Sequence, residues 1–323
     1  MIRTSHYLFA ALCLGSLFAC SRQFTDSYIV PKWCFAVFML FIVLAYEAVN
    51  ILFYRQNEQK DTRISVYGFI IVISCFLQAM FGVVQFFGFF QISTTLWVTG
   101  SFDNPAGFAA CLCAGFPFVG FLLSDSNKYI RYVGGLIGFV IVIAVILSQS
   151  RAGIMSIAFI CFILLNMKFF HKRWVKYLSL LCFALLLSGC YWMKKDSADG
   201  RLLIWRCSVS MVKDAPWLGH GIGSFEARYM DYQADYFRQY GLNRYSMLAD
   251  NVKHPFNEYL GVLLNFGFVG LLMILALITL LIYCYKKHPC AEKRIAFYSL
   301  ISIGVFSFFS YTFTYPFTWI VTF

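Results

Sequence analysis

The chain has 323 residues, of which 60% are hydrophobic and only 13% are charged. Soluble domains carry about a quarter charged residues, so the composition excludes an ordinary soluble protein and predicts an integral membrane protein. The formal net charge is +11, but the basic excess lies largely in short loops between apolar runs. We therefore attribute it to membrane topology and predict no nucleic-acid partner.

Apolar runs long enough to cross a bilayer, roughly 17 to 25 residues, recur along the chain. They predict an all-α, polytopic fold with about nine or ten transmembrane helices. The nine predicted spans are 5–21, 33–54, 64–90, 106–123, 132–149, 152–170, 177–193, 258–285 and 295–314. We interpret the first as a retained signal anchor because many spans follow it, and the final "TYPFTWIVTF" as a possible start of a tenth.

Basic residues are distributed unequally between the two sets of short loops. One set contains fourteen: Arg3, Arg55, Lys60, Arg63, Lys128, Arg131, Lys168, Lys172, Arg173, Lys176, Lys286, Lys287, Lys293 and Arg294. The other set contains Arg22, Lys32 and Arg151. The positive-inside rule places the first set in the cytoplasm, so the one large hydrophilic loop faces outward.

The apolar runs and the large loop divide the chain into three parts. Residues 1–193 hold about seven transmembrane helices, 194–257 form the large loop, and 258–323 hold the C-terminal transmembrane helices. Within the loop, 201–213 and 224–241 predict two helices, separated by a glycine-rich stretch that we interpret as a flexible turn. The second helix carries tyrosines at helical spacing, which suit either sugar stacking or an interfacial aromatic belt.

Two outward-facing motifs precede predicted spans. In "TGSFDNPAG", Asp103 and Asn104 stand before a proline and are suited to cap a helix, or to bind sugar hydroxyls. In "SQSRAG", Ser150 is a natural helix cap and Arg151 begins the helix. An arginine at a helix N-terminus suits a phosphate or diphosphate, and Gly153 would let a bulky group approach. An arginine that reaches lipid headgroups is the alternative.

The large loop begins and ends with further candidates. Arg201 and Arg206 suit contacts with an anion, and Trp205 shares a helix face with Arg201. The alternative is an amphipathic helix that lies on the bilayer with its basic groups on lipid headgroups. His220 lies in the glycine-rich turn and has no clear assignment. At the end of the loop, His254 precedes Pro255, interpreted as a first-turn proline, and Glu258. A carboxylate there would orient the imidazole and raise its pKa, as a general base requires; a helix-capping histidine is the alternative.

Taken in order, four motifs resemble the bacterial O-antigen ligase and O-antigen polymerase superfamily. They are "GSFDNPAGFAACL", "SQSRAG", "GRLLIWRCSVSMVKDAPWLGHGIGSF" and "HPFNEYLGVLLNFGFVGLL". The resemblance covers about residues 99–285. It implies a metal-independent glycosyltransferase without a cofactor, which uses a glycan on undecaprenyl diphosphate at the periplasmic face of the inner membrane.

The resemblance also implies roles for the candidate residues. Arg151, Arg201 and Arg206 would hold the diphosphate and offset its developing charge. The His254 region, with Glu258 as a further catalytic candidate, would activate the acceptor hydroxyl, and Asn257 would contact the substrate. Many relatives have histidine directly before the asparagine of the last motif, where this chain has Phe256. His220 or Glu258 therefore stay open as bases, as does a reaction without a protein base.

The implied acceptor separates several functions. A ligase transfers the glycan to the lipid A core, a polymerase to another repeat unit, and a third branch to protein serine or threonine. We expect a ligase because the loop motifs resemble that group most. A transporter or flippase of lipid-linked sugars is the alternative from another class, and it predicts functional residues near the membrane midplane instead of on one face.

Overall fold

The structure, a computed structural model, describes residues 4–53, 61–89, 98–168, 173–193, 195–287 and 290–322. The regular secondary structure of the described residues is all helical, without a strand, which confirms the all-α prediction. The α-helices are α1 Thr4–Phe18, α2 Ile29–Phe53, α3 Asp61–Phe86, α4 Pro105–Gly115, α5 Val119–Leu123, α6 Lys128–Leu147, α7 Arg151–Lys168, α8 Arg173–Met193, α9 Lys195–Asp214, α10 Ser224–Tyr240, α11 Glu258–Lys287, α12 Ala291–Phe309 and α13 Pro316–Thr322.

Each of the nine predicted spans coincides with helix. Within the described residues, six helical segments are long and apolar enough to cross a membrane: Ile29–Asn50, Val66–Phe86, Pro105–Leu123, Lys128–Leu147, Arg173–Trp192 and Glu258–Lys287. Two shorter apolar helices are Thr4–Phe18 and Arg151–Met167. Parts of the sequence predictions lie outside the described residues, namely Arg3, Arg55, Lys60, Lys172 and the span ends at 54, 90 and 169–170.

The chain divides into two compact units. The first comprises 1–160, 290–306 and 312–323, and the second comprises 161–289 and 307–311. In the first unit, small polar side chains satisfy helix carbonyls inside an apolar interior. The Ser302 hydroxyl donates to the Cys113 carbonyl at 2.7 Å, and that of Ser299 to Ala114 at 2.5 Å. Such contacts let helices approach closely without leaving buried polar groups unpaired.

Lys32 is the clearest departure from the predicted topology in the first unit. We assigned it to an outward loop, but it lies in α2 and is fully buried. Its ammonium donates to the carbonyls of Ala19 at 2.9 Å and Ser101 at 2.8 Å. A buried charge is tolerated where such acceptors surround it, so this lysine joins the end of α1 to the loop before α4.

The second unit contains the large loop, built as a hairpin of α9 and α10. Both predicted loop helices are present, although α9 begins at Lys195 instead of residue 201. The hairpin and the start of α11 share one apolar core, made of Leu203, Ile204, Cys207, Met211, Phe225, Tyr229, Tyr245 and Leu264. Four of these residues lie on one face of α9, as an amphipathic helix requires.

The glycine-rich turn after α9 is fixed against α11, so the expectation of a flexible turn is wrong. The helix α11 breaks at Gly267, which has φ +61°. Backbone hydrogen bonds join the turn to this break: His220 N–H to Leu264 O at 2.7 Å, Gly221 to Asn265 at 3.1 Å, Phe268 to Pro216 at 2.8 Å and Val269 to Trp217 at 3.2 Å. The turn thereby satisfies backbone groups that a broken helix leaves open, which a membrane helix needs.

Close backbone approach explains the glycines at this junction. A Cβ on Gly267 would lie 2.3 Å from the Trp217 carbonyl, and a Cβ on Gly219 would lie 2.6 Å from the Phe266 nitrogen. Both glycines also have φ in the left-handed region, +61° and +70°, where a side chain is costly. The junction therefore holds the α9–α10 hairpin in a set position on α11.

Candidate functional site

Arg201 is held beside the segment that leads into α11. This half-buried arginine lies in the second turn of α9. Its Nη1 donates to the Phe309 carbonyl at 2.5 Å, and its guanidinium carbon lies 5.1 Å from the centre of the Phe256 ring. One turn later, Trp205 Nε1 donates to the Pro255 carbonyl at 2.9 Å. The predicted shared face of Arg201 and Trp205 is thus turned toward residues 255–256.

His254 and Phe256 both contact Tyr311. The imidazole stacks on the Tyr311 ring with centroids 4.7 Å apart, and the Phe256 ring meets it edge-on at 5.4 Å. Tyr311 was not among the sequence candidates, because nothing in its local sequence indicates a contact 57 positions from His254. We call Arg201, His254, Phe256 and Tyr311 the Arg201 cluster.

The segment before α11 is not helical. The helix begins at Glu258, and Asn257 Oδ1 caps it by accepting from Leu260 N–H at 3.1 Å. Pro255 therefore lies two residues before the cap, and its interpretation as a first-turn proline is wrong. His254 is also outside the helix, so helical spacing does not bring it to Glu258. The buried Asn257 has a structural role as a cap, while contact with substrate stays a prediction.

The pKa of His254 moves opposite to the expectation. Burial lowers it below the usual 6.5, Glu226 opposes this with a smaller raising effect, and Lys253 lowers it further. The carboxylate that acts on the imidazole is Glu226, in the first turn of α10, not Glu258. His254 is therefore neutral at pH 7 and able to accept a proton, which is the form that a general base needs.

Phe256 has a left-handed backbone, with φ +52°. This conformation is rare for a bulky residue and costs about 1 kcal/mol or more. Within the described residues, the only other non-glycine position of this kind is Gln149, also at φ +52°. Each stands directly before the cap of a helix that carries a candidate motif, Asn257 for α11 and Ser150 for α7.

The contacts of Arg206 and His220 are with residues outside the Arg201 cluster. Arg206 is exposed and donates to the Tyr236 hydroxyl at 3.3 Å, with its guanidinium 5.2 Å from the Tyr245 ring centre. His220 Nε2 is 2.7 Å from the Met211 carbonyl, and its Nδ1 is 3.0 Å from Arg228 Nη1. Because a carbonyl only accepts and a guanidinium only donates, the imidazole carries its proton on Nε2 and holds the turn in place.

In the first unit, the "SQSRAG" motif forms the predicted helix start. Ser150 Oγ accepts from Gly153 N–H at 3.3 Å, and Arg151 is the first residue of α7, half-exposed. Gly153 has a different role from the one expected. It is buried, and a Cβ there would lie 2.9 Å from Ala109 Cβ, so it permits helix packing rather than ligand approach.

The "TGSFDNPAG" motif caps α4, as predicted. Asn104 Oδ1 accepts from Gly107 N–H at 2.9 Å, and its Nδ2 donates to Asp103 Oδ2 at 2.8 Å and to the Tyr315 hydroxyl at 3.0 Å. Burial raises the pKa of Asp103. Its Oδ1 is buried without a hydrogen-bond partner among the described residues. The alternative of sugar binding by this pair stays a prediction.

No curated protein matches the chain significantly. The sequence model of a family described as O-antigen ligase matches residues 136–275. This range contains the "SQSRAG" motif, the whole α9–α10 hairpin, and α11 through its break. Over this range, which is less than half of the chain, this membrane protein is similar to the O-antigen ligase family.

Proposed function

We propose that the protein is a multi-pass enzyme of the bacterial inner membrane that transfers a glycan from undecaprenyl diphosphate to an acceptor hydroxyl at the periplasmic face. The observation that carries this proposal is the Arg201 cluster. A cation suited to a diphosphate contacts Phe256. A neutral histidine suited to accept a proton lies two residues earlier in the same short segment, 254–256, and both of these ring side chains contact Tyr311. That segment lies directly before an apolar helix of 30 residues, where a lipid-linked substrate would meet water.

The proposed reaction is a single displacement. The acceptor oxygen attacks the anomeric carbon, a new C–O bond forms, and the bond from that carbon to the diphosphate oxygen breaks with its electron pair. His254 takes the proton of the acceptor hydroxyl, and the positive charge that it gains balances the negative charge that the leaving diphosphate gains. The guanidinium of Arg201 stabilises the negative charge that develops on the leaving diphosphate. Attack opposite the leaving group inverts the anomeric configuration.

Arg151 is proposed as a further diphosphate contact because of its position at a helix N-terminus. It begins α7, whose Ser150 cap uses one backbone N–H while the helix dipole favours an anion at this end. No cofactor or metal enters the proposed step. The roles of Arg206, His220, Asp103 and Asn104 in substrate binding stay predictions, because their observed contacts are explained by the fold.

For the acceptor, we propose the lipid A core, which makes the protein an O-antigen ligase. A repeat-unit polymerase and a protein O-oligosaccharyltransferase share the same donor chemistry and differ in the acceptor. The outward orientation rests on the distribution of basic residues between the short loops.

A clean deletion in the native host separates these acceptors. The surface glycans are resolved by size, and the undecaprenyl-linked pool is extracted. The proposal expects loss of every lipid A-linked chain, with long polymer left on the carrier. Lipid A that still carries a single repeat unit identifies a polymerase instead. An unchanged lipid A profile together with lost protein glycosylation identifies a protein transferase.

A further inference from the structure

The α9–α10 hairpin has a groove beside its apolar core. Its volume is about 670 Å³, and it is lined by both helices. Its aromatic residues are Trp205 from α9 and Tyr232, Tyr236 and Tyr240 from α10. Three of the four tyrosines at helical spacing on α10 therefore line this groove, whereas the fourth, Tyr229, is fully buried in the core.

The aromatic rings offer a platform at one end of the groove. Tyr236 and Tyr240 lie with ring centroids 4.9 Å apart and an interplanar angle of 37°. Tyr240 is 61% exposed, so part of its ring is open to a ligand. The negative face of an aromatic ring attracts weakly positive C–H groups, and one face of a pyranose ring presents such groups.

Polar side chains in the groove provide both donors and acceptors. Lys213 and Arg206 donate, Asp235 accepts, and Gln239 does both. Arg206 is oriented by the Tyr236 hydroxyl at 3.3 Å, and Asp235 by Arg238 at 2.7 Å. A ligand with many hydroxyl groups needs this mixture, because each hydroxyl donates once and accepts twice.

The distribution of exposed apolar residues argues against a lipid ligand here. The large apolar side chains of the turn after α9 are far more exposed, with Trp217 at 70%, Leu218 at 75% and Ile222 at 84%. In the groove, the aliphatic lining consists of Val209 and a half-buried Leu202. The turn therefore fits a bilayer interface better than the groove does.

We propose that this groove binds sugar residues of the glycan donor, an inference that rests on the proposed function. Trp205 connects the groove to the Arg201 cluster, since it lines the groove and its indole donates to the Pro255 carbonyl. From Trp205 to Lys213 the helix rises roughly 12 Å. A glycan whose diphosphate contacts Arg201 thus has space for a short run of sugars along α9.

The test compares two probes on the full-length protein in nanodiscs. One probe is undecaprenyl diphosphate that carries the host glycan, and the other is undecaprenyl diphosphate alone. The wild type is expected to bind the glycan-bearing probe more tightly. The double variant Tyr240→Ala/Gln239→Ala is expected to lose about tenfold in that affinity, the loss of one aromatic contact and one hydrogen bond, with unchanged affinity for the bare carrier.

Met247→Ala is the matched control, because Met247 is 94% exposed on the loop after α10 and does not line the groove. Equal binding of both probes to the wild type, or an unchanged preference in the double variant, overturns the groove. The groove proposal is also overturned if the double variant loses affinity equally for glycan-free anionic vesicles, a result that identifies a membrane contact. If neither probe binds the wild type, the proposed function itself fails.

Discussion

The guanidinium carbon of Arg201 lies 5.1 Å from the centre of the Phe256 ring, and Phe256 is two residues after His254. The resemblance implies histidine at this position in many relatives, and in this chain the half-buried phenylalanine packs against the arginine and Tyr311. The imidazole at 254 contacts the same tyrosine. The proposed base therefore lies two residues before the position where the resemblance implies histidine.

Replacing Arg201 separates its proposed role in the reaction from its role in packing. Arg201→Ala should reduce transfer by about 10² to 10³, the effect of removing one group that stabilises developing charge. Arg201→Lys keeps the charge but loses the planar fork, so only partial recovery is expected. Transfer is measured with the purified protein, and membrane insertion by its yield from the membrane fraction.

Arg131→Ala is the control for that series, because Arg131 is an exposed arginine of α6, a helix that carries none of the candidate residues. It should keep full activity. Normal transfer by Arg201→Ala would remove the diphosphate role that we give to this residue.

The pH dependence of transfer tests His254 without removing it. Burial holds its pKa below 6.5, so activity should fall only as the pH drops through that lowered value. Glu226 raises the pKa and Lys253 lowers it. Glu226→Gln should therefore shift the acidic limb of the rate profile to lower pH, and Lys253→Gln should shift it to higher pH.

The free energy of unfolding should also depend on the protonation of His254. Between the lowered pKa of the folded state and 6.5, the unfolded chain binds more protons, so the free energy of unfolding falls as the pH drops through this window.

For the rate profiles, an acidic limb that stays at the same pH in both Glu226→Gln and Lys253→Gln contradicts His254 as the base.

The glycines at the junction of the turn and α11 should resist substitution. Gly267→Ala and Gly219→Ala place a Cβ against backbone atoms that cannot move aside easily. The expected cost beyond the backbone strain is about 1–3 kcal/mol, seen as a lower thermal transition in detergent. Gly221→Ala is the control, since Gly221 has φ +91° but open space around its Cβ position. Equal losses in all three variants would show that close approach is not the cause.

Arg151 and Ser150 are adjacent, but replacing Arg151 should reduce transfer whereas replacing Ser150 should reduce stability. Ser150→Ala removes the cap of α7 and should cost about 1 kcal/mol of stability with transfer largely retained. Arg151→Ala should abolish transfer with a nearly unchanged thermal transition. Both properties are measured on the same preparations. Retained transfer in Arg151→Ala, or a stability loss as large as that of Ser150→Ala, contradicts the assignment.

Hydropathy alone predicted the membrane helices, because an apolar run of this length has few alternatives to a helix in lipid. The same signal concealed two features. Gly267 sits within an apolar run, so the break in α11 leaves hydropathy unchanged, and its partner is a turn about 50 residues earlier. Lys32 was assigned to a loop because a charge near the end of an apolar run usually marks a boundary.

Local rules also predicted the caps at Asn104 and Ser150, since a short polar side chain before a helix has one favoured partner. The environment of His254 was not predictable in this way. Its pKa depends on burial and on Glu226 from α10, while sequence spacing indicated Glu258. Tyr311 is brought to the Arg201 cluster by tertiary structure alone.

Transfer by the purified, full-length protein in liposomes tests the central claim most directly. The donor is the undecaprenyl-diphosphate-linked host glycan, and the acceptor is lipid A core from a strain that lacks the transferred chain. The account predicts a new glycosidic bond, with one undecaprenyl diphosphate released for each glycan transferred, and loss of both products in Arg201→Ala. Movement of the intact donor across the bilayer without a new bond would contradict it and identify a transporter.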